Sequence, residues 1–225
     1  MAEPAQVPEP APVPHRAPPF ERARTESAAL STGERVHRAA LRLFATHGFE
    51  ATGIRKIAED SGITVASLYH YVGTKEDLLE RMMAESMTAL LTPASKLAGQ
   101  VADPAERLSA LVDLHVRRHA EHAALCRVGD TELRSLSGQP RARIVALRDE
   151  YQAIWEEAIA AGVAAGVFAV PDVKIAALGL VQMCTGVAHW YSPGGRLPLE
   201  AISAAFVTMA VAMLTGSLRG SEARR

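Results

Sequence analysis

Three glycines, Gly48, Gly62 and Gly73, divide the stretch from Ser31 to Leu91 into segments that can only be helical and mostly short. Val36, Ala39, Ala40, Leu43 and Phe44 recur at three- and four-residue spacing, with Arg35, Arg38 and Arg42 on the other side, which predicts an amphipathic helix. Gly48 is its natural left-handed end. A second, short helix is expected from about Ile54 to Asp60, carrying Ile57 and Ala58 inward, and Ser61-Gly62 then makes a tight turn. Thr64 can cap a third helix, Val65 to Tyr71, by accepting a backbone N–H of its first turn. Gly73 breaks that helix. Thr74 caps a fourth, with Glu76 and Asp77 well placed at its positive end, and Pro93 is expected to stop it near Leu91. Helix, short helix, glycine turn and short helix form a helix-turn-helix, although a plain helical hairpin in an all-α core has the same punctuation.

Composition narrows the classes. Of 225 residues 48% are hydrophobic and 22% charged, so the chain can bury a core. Its 24 basic and 25 acidic residues exclude a uniformly basic nucleic-acid coat, and seven Lys/Arg meet seven Asp/Glu between Ser31 and Arg81. Any binding to DNA must therefore come from placement. Cys126 and Cys184 lie far apart with no CxxC, which argues against a disulfide scaffold or a cysteine-only zinc site and for a reducing cytoplasm. The opening residues lack a secretory pattern, and the best apolar run, Ile175 to Val187, is too short to span a bilayer, so a soluble protein is expected. Seven prolines between Pro4 and Pro19 make residues 1–28 read as a disordered tail. That tail turns basic at Arg16, Arg22 and Arg24, either as a solubilising leader or as an arm that reaches phosphates or a minor groove.

The runs Gly48-Phe49-Glu50-Ala51-Thr52, Ile57-Ala58-Glu59-Asp60-Ser61-Gly62-Ile63-Thr64 and Ser67 to Leu79, with Leu-Tyr-His-Tyr followed by Thr-Lys-Glu-Asp-Leu-Leu, resemble the N-terminal signature of the tetracycline-repressor (TetR/AcrR) family of transcriptional regulators. The resemblance covers residues 33–80. Two positions depart from it: Gly53 stands where Ser or Thr often caps the second helix, and Val72 where Phe is common. The resemblance implies an all-α homodimer, with a three-helix DNA-binding head in residues 29–76 and a larger helical ligand-binding and dimerisation domain in residues 77–218. Residues 219–225 are expected to be a disordered C-terminal tail.

On that reading Val65, Ala66, Ser67 and His70 are short enough for their helix to enter a major groove with its N-terminus leading. Tyr69, Tyr71 and Lys75 flank the groove and anchor phosphates, backbone N–H groups near Gly53 and Thr74 add neutral donors, and the capping Thr64 belongs to the same DNA-binding set. Arg55 is the candidate for a bidentate guanine contact. Two such heads would read a palindrome in double-stranded DNA with half-sites about 34 to 36 Å apart.

In the larger domain Asp103-Pro104 starts a helix carrying Leu108, Leu111, Val112, Leu114 and Val116. Ile144, Leu147, Tyr151, Ile154, Trp155, Ala158 and Ile159 mark another, ending near Gly162 or Gly166. Pro171-Asp172 opens a third that is expected to reach Trp190, Ser192-Pro193-Gly194-Gly195 is a turn, and Leu199 to Leu218 is the last helix. These final two are apolar around most of their circumference, which predicts a four-helix dimer interface from Val173–Tyr191 and Ala201–Leu214 of each chain.

His115, His119 and His122 share one helical face, compatible with a metal site, a polar pocket lining or plain core histidines. Neither a secured fourth ligand nor an HExxH motif accompanies them, so no metal, cofactor or catalytic residue is assigned and a metal-dependent helical enzyme is the disfavoured class. The segment from Ala188 to Leu197 resembles the family branch that senses acyl-CoA thioesters. Such an effector needs an apolar tunnel and polar or cationic groups for its phosphates. Tyr151, Trp155, Phe168, Met183 and Trp190 are candidates for the tunnel, and Arg148, His119 and His189 for the polar end. The alternative is a repressor of an efflux system that senses lipophilic or aromatic drugs in an aromatic cavity.

Overall fold

The computed structural model describes residues 30–222, with side chains to Thr215. The expected tail of residues 1–28 lies outside them. In the described residues the architecture is all helical: α1 (Thr32–His47), α2 (Ile54–Ser61), α3 (Val65–Val72), α4 (Lys75–Gln100), α5 (Pro104–Glu121), α6 (Ala123–Glu132), α7 (Gly138–Ala164), α8 (Val173–Thr185), α9 (Val187–Trp190) and α10 (Leu199–Glu222). A 3₁₀ turn, Leu133–Ser135, follows α6.

Local chemistry sets the head. Ser31 and Glu34 form a reciprocal capping box at the start of α1, and Thr74 and Asp77 form another at the start of α4. Gly48 and Gly62 end α1 and α2 at φ +81° and +68°, where a β-carbon would be strained. Thr64 caps α3, its Oγ1 accepting from the Ser67 N–H at 3.1 Å. Gly53 supplies no side-chain cap to α2. The helices enclose Val36, Phe44, Phe49, Ile57, Leu68 and Leu79, all essentially buried.

Three helices depart from the expected boundaries. Helix α4 does not stop before Pro93 but continues through it to Gln100. Proline removes one backbone hydrogen bond, yet Leu90, Leu91 and Ala94 are buried against the larger domain's core, and that packing carries the helix across. The helix expected to run unbroken to Trp190 is interrupted at Gly186, where α8 ends and α9 begins. The Ala188 carbonyl, in the last turn of α9, accepts from Arg127 Nη1 of α6 at 2.6 Å. The last helix, expected to end at Leu218, runs to Glu222.

Two apolar clusters result. One fills the larger domain around fully buried Trp155, Leu108, Leu111, Ile159 and Leu180. The other belongs to the head but also takes in Met82 and Met83 of α4, Val128 of α6, Leu136 just before α7 and Ile144 of α7. The head therefore shares its core with three helices of the larger domain.

Candidate nucleic-acid interface and effector cavity

Helix α3 buries Leu68 and Val72 and turns its remaining side chains outward. Ala66, Ser67, Tyr69, His70 and Tyr71 are exposed and Val65 is half-buried, so the face predicted from the sequence is continuous and made of small groups bordered by two tyrosines. Thr64 Oγ1 and Ser67 Oγ are 2.9 Å apart, which holds the leading edge of the helix in one geometry. Gly53 and Arg55 are exposed at the start of α2.

Most cations of the head are already paired. Arg42 reaches Asp60 at 2.6 Å, Lys56 meets both Glu59 and Asp60, and Arg35 donates to the Ser61 and Leu30 carbonyls. Lys75 is placed differently from a free phosphate anchor: its ammonium donates to the carbonyls of Phe49 at 2.9 Å and Thr52 at 3.1 Å and sits over the Phe49 ring. Two of its three N–H donors are thus engaged in fastening the loop before α2 to the start of α4. Arg55 has no hydrogen bond or ion pair among the described residues, and its guanidinium is available to a base edge or a phosphate. Arg55→Ala is expected to cost about 1 to 3 kcal/mol in operator binding and to relax preference at one base pair, as read by a mobility-shift assay over single-base operator variants.

In the larger domain a cavity of about 450 Å³ lies between α4, α5, α6, α7 and the α8–α9 break. Its volume falls within the range of small-molecule sites. Tyr151, Arg148, His119 and His189 line it, although His119, expected at the polar end, is buried at the far end from the mouth. Trp155, Phe168, Met183 and Trp190 do not line it. Trp155 and Phe168 are core, the Phe168 ring lying against the α-carbon of Gly162. Met183 packs half-buried against the same core. Trp190 is 55% exposed and stacks on Phe206. Residue type alone does not separate an aromatic that fills a core from one that borders a void.

The lining that sequence reading missed comes mainly from α4, through Met83, Ser86, Met87 and Leu90, and from Gln152, Val181, Gln182 and Thr185. Exposed Asp130, Thr131, Gln182 and His189 mark the mouth; buried His115, His119, Tyr151 and Leu90 form the inner end. Arg148 Nη2 donates to the Gly129 carbonyl at 2.6 Å, tying α7 to α6 beside the mouth.

The histidines do not converge on a metal. His115 Nδ1 lies 3.0 Å from Tyr151 Oη and its Nε2 3.1 Å from Thr185 Oγ1, so both ring nitrogens are engaged. His119 stacks parallel on His115 at 3.9 Å, while His122 is exposed at the end of α5. Among the described residues no group of three or more His, Cys, Asp or Glu is arranged to hold a metal ion. Burial pushes His115 well below its ordinary pKa and His119 down to about 4, so both rings are neutral at physiological pH. Burial also raises the Cys126 thiol, on the cavity wall, to about 11.

A helix-turn-helix with an outward-facing third helix, joined through a shared core to a helical domain with a ligand-sized cavity, has the architecture of a ligand-responsive DNA-binding protein. Comparison with known families agrees. Residues 37–82 match "Bacterial regulatory proteins, tetR family" and residues 101–214 match "Tetracyclin repressor-like, C-terminal domain", and the chain belongs to this family of transcriptional regulators. The HTH-type transcriptional repressor KstR2 of Mycolicibacterium smegmatis is 27% identical over 196 residues, covering 86% of this chain and 95% of that protein. A tetR-family regulatory protein from Rhodococcus RHA1 superposes with a TM-score of 0.77 at 29% identity, covering 83% of this chain and 98% of that one. AibR, solved with isovaleryl coenzyme A and operator DNA, gives a TM-score of 0.72 at 26% identity over 82% of this chain and 98% of its own. Among the described residues no helix is long and apolar enough to cross a membrane.

Proposed function

We propose that this protein is a cytoplasmic, non-enzymatic repressor that binds a palindromic operator as a homodimer through α3 and leaves it when an acyl-CoA thioester occupies the larger domain's cavity. The observation that carries the coupling is a shared wall: Met83 and Ile144 line the cavity and also belong to the head's core. Directly after the cavity residues Gly129, Asp130 and Thr131, the buried Glu132 carboxylate accepts from the Phe49 N–H at 3.3 Å, in the loop that leads to α2. A ligand that displaces α6 or the middle of α4 acts on the head's position without touching DNA. It shifts the equilibrium only by the difference in its affinity for the two head spacings.

Two observations favour a thioester over a lipophilic drug. The large aromatics Trp155, Phe168 and Trp190, which an aromatic drug would seek, stand outside the lining, whereas Arg148 and His189 stand at or near the mouth. A whole coenzyme A thioester exceeds the cavity, so the acyl group occupies it and the nucleotide lies outside. AibR supports the reading, since it was solved with such a thioester. The test is a mobility shift on DNA upstream of the protein's own gene. CoA thioesters are expected to release the DNA while free acids and hydrophobic cations do not; release by the cations alone would reverse the choice.

A further inference from the structure

The inner end of the cavity has a hydrogen-bonding pattern that selects among acyl groups. His119 Nδ1 lies 2.9 Å from the backbone carbonyl of His115, and a carbonyl can only accept, so Nδ1 carries the proton. The ring is neutral and 5% exposed. Its proton therefore being on Nδ1, Nε2 presents a lone pair, and it has no hydrogen-bond partner among the described residues.

The neighbouring His115 supplies the complementary half. A neutral imidazole has one N–H and one lone pair, and here each faces a hydroxyl, Tyr151 Oη at 3.0 Å and Thr185 Oγ1 at 3.1 Å. One of those hydroxyls must donate to the ring and the other must accept from it. The one that accepts keeps its own O–H for another partner. Both hydroxyl-bearing residues line the cavity, next to the stacked His115 and His119 rings. The inner end therefore offers one fixed acceptor and one spare donor.

We infer that the effector's acyl group carries an alcohol remote from the thioester, which donates its O–H to His119 Nε2 and accepts from Tyr151 or Thr185. This deepens the acyl-CoA reading and rests on it. A bare hydrocarbon that displaces solvent from Nε2 leaves a buried lone pair unmet. A ketone, an ether or a carboxylate can accept from the spare O–H but brings no proton to Nε2, whose lone pair stays unmet. An alcohol satisfies both halves of the site.

The experiment is calorimetric titration with a saturated medium-chain acyl-CoA, its terminally hydroxylated counterpart and the corresponding terminal methyl ether, using wild type and His119→Phe. The aromatic replacement keeps a flat ring against His115 and removes the Nε2 acceptor together with the Nδ1–H bond to the His115 carbonyl. Wild type is expected to bind the hydroxylated thioester about tenfold or more tightly than the other two, the lower range for a buried hydrogen bond made against one left unmade. His119→Phe is expected to level the three. In wild type labelled with nitrogen-15 on histidine, the Nε2 resonance of His119 is expected to move with the hydroxylated ligand and not with the ether, a readout that does not depend on the variant folding. Equal affinity of wild type for all three thioesters overturns the alcohol assignment and leaves the acyl-CoA reading standing. A hydroxyl preference that survives in folded His119→Phe overturns the role of His119, and failure of every thioester to bind overturns both readings.

Discussion

Aspartate at both Met209 and Met213 is expected to convert the protein to a monomer and to weaken operator binding on the order of 10²- to 10⁴-fold, the advantage that linking two modest binding events typically confers. The reasoning starts from which faces of α8 and α10 are used. Their inward faces, Ala177, Leu180 and Cys184 on α8 and Ile202, Phe206, Ala210 and Leu214 on α10, are buried in the larger domain. Their outward faces are also apolar: Ile175 is 69% exposed, Leu178 47%, Met209 43% and Met213 53%. Ile175 and Leu178 are three residues apart and Met209 and Met213 four, so each pair stands on one stripe. A helix apolar on two sides needs two partners, and in the single chain only one is supplied. Small residues Ala205 and Ala212 lie exposed beside the methionines, which lets a facing helix approach closely. An aspartate taken into that contact is an unpaired buried charge, costly enough to prevent association. In the isolated chain the same positions face solvent, where substitutions usually change stability by about 0.5 kcal/mol or less. Sedimentation velocity and operator titration on one preparation check both halves. A folded variant that stays dimeric at micromolar concentration moves the interface elsewhere on the molecule.

The head was readable from its letters because its boundaries are local. Ser31, Thr64 and Thr74 cap the helices they precede, and Gly48 and Gly62 take the positive φ that other residues avoid. None of this needs knowledge of distant residues. The ligand-binding domain differs. Pro93 is a helix breaker by its own chemistry, and only the burial of Leu90, Leu91 and Ala94 against other helices overrides it. Tyr151 and Trp155 sit one turn apart on the same face of α7, with rings 6.3 Å apart, yet one reaches the cavity and the other is sealed in the core. That difference depends on where α4 and α8 leave space, which periodicity does not encode. Lys75 makes the same point in the head. Its position in the signature is plain from sequence, but its attachment to the Phe49 and Thr52 carbonyls follows from how α4 folds back over the α1–α2 loop.

The histidine pair should also give the protein an acid limit that the caps and core do not set. In the unfolded chain both rings titrate near 6.5. In the folded chain burial lowers both, His119 to about 4 and His115 well below its ordinary value, with the Arg118 and His189 charges also lowering His119 and its hydrogen bond to the His115 carbonyl opposing the shift. Below pH 6.5 the unfolded state therefore binds more protons than the folded state, and stability falls as the pH falls. Above about pH 7 both states are neutral at these rings and the effect vanishes. From 6.5 down to about 4 His119 alone is expected to remove roughly 3 kcal/mol, at about 1.4 kcal/mol per pH unit once its unfolded form is fully protonated, and His115 adds to the loss. Asp130 at the cavity mouth works in the opposite sense, because desolvation raises its pKa and the folded state then takes up a proton before the unfolded one; Arg148 and His189 limit that shift. Urea midpoints measured from pH 7.5 to pH 4 give the slope. His119→Phe is expected to flatten it by about one proton's worth, and His115→Phe to flatten it as well despite breaking the Tyr151 and Thr185 contacts. A slope unchanged in both variants places the acid sensitivity on the carboxylates and removes the buried histidines from the account.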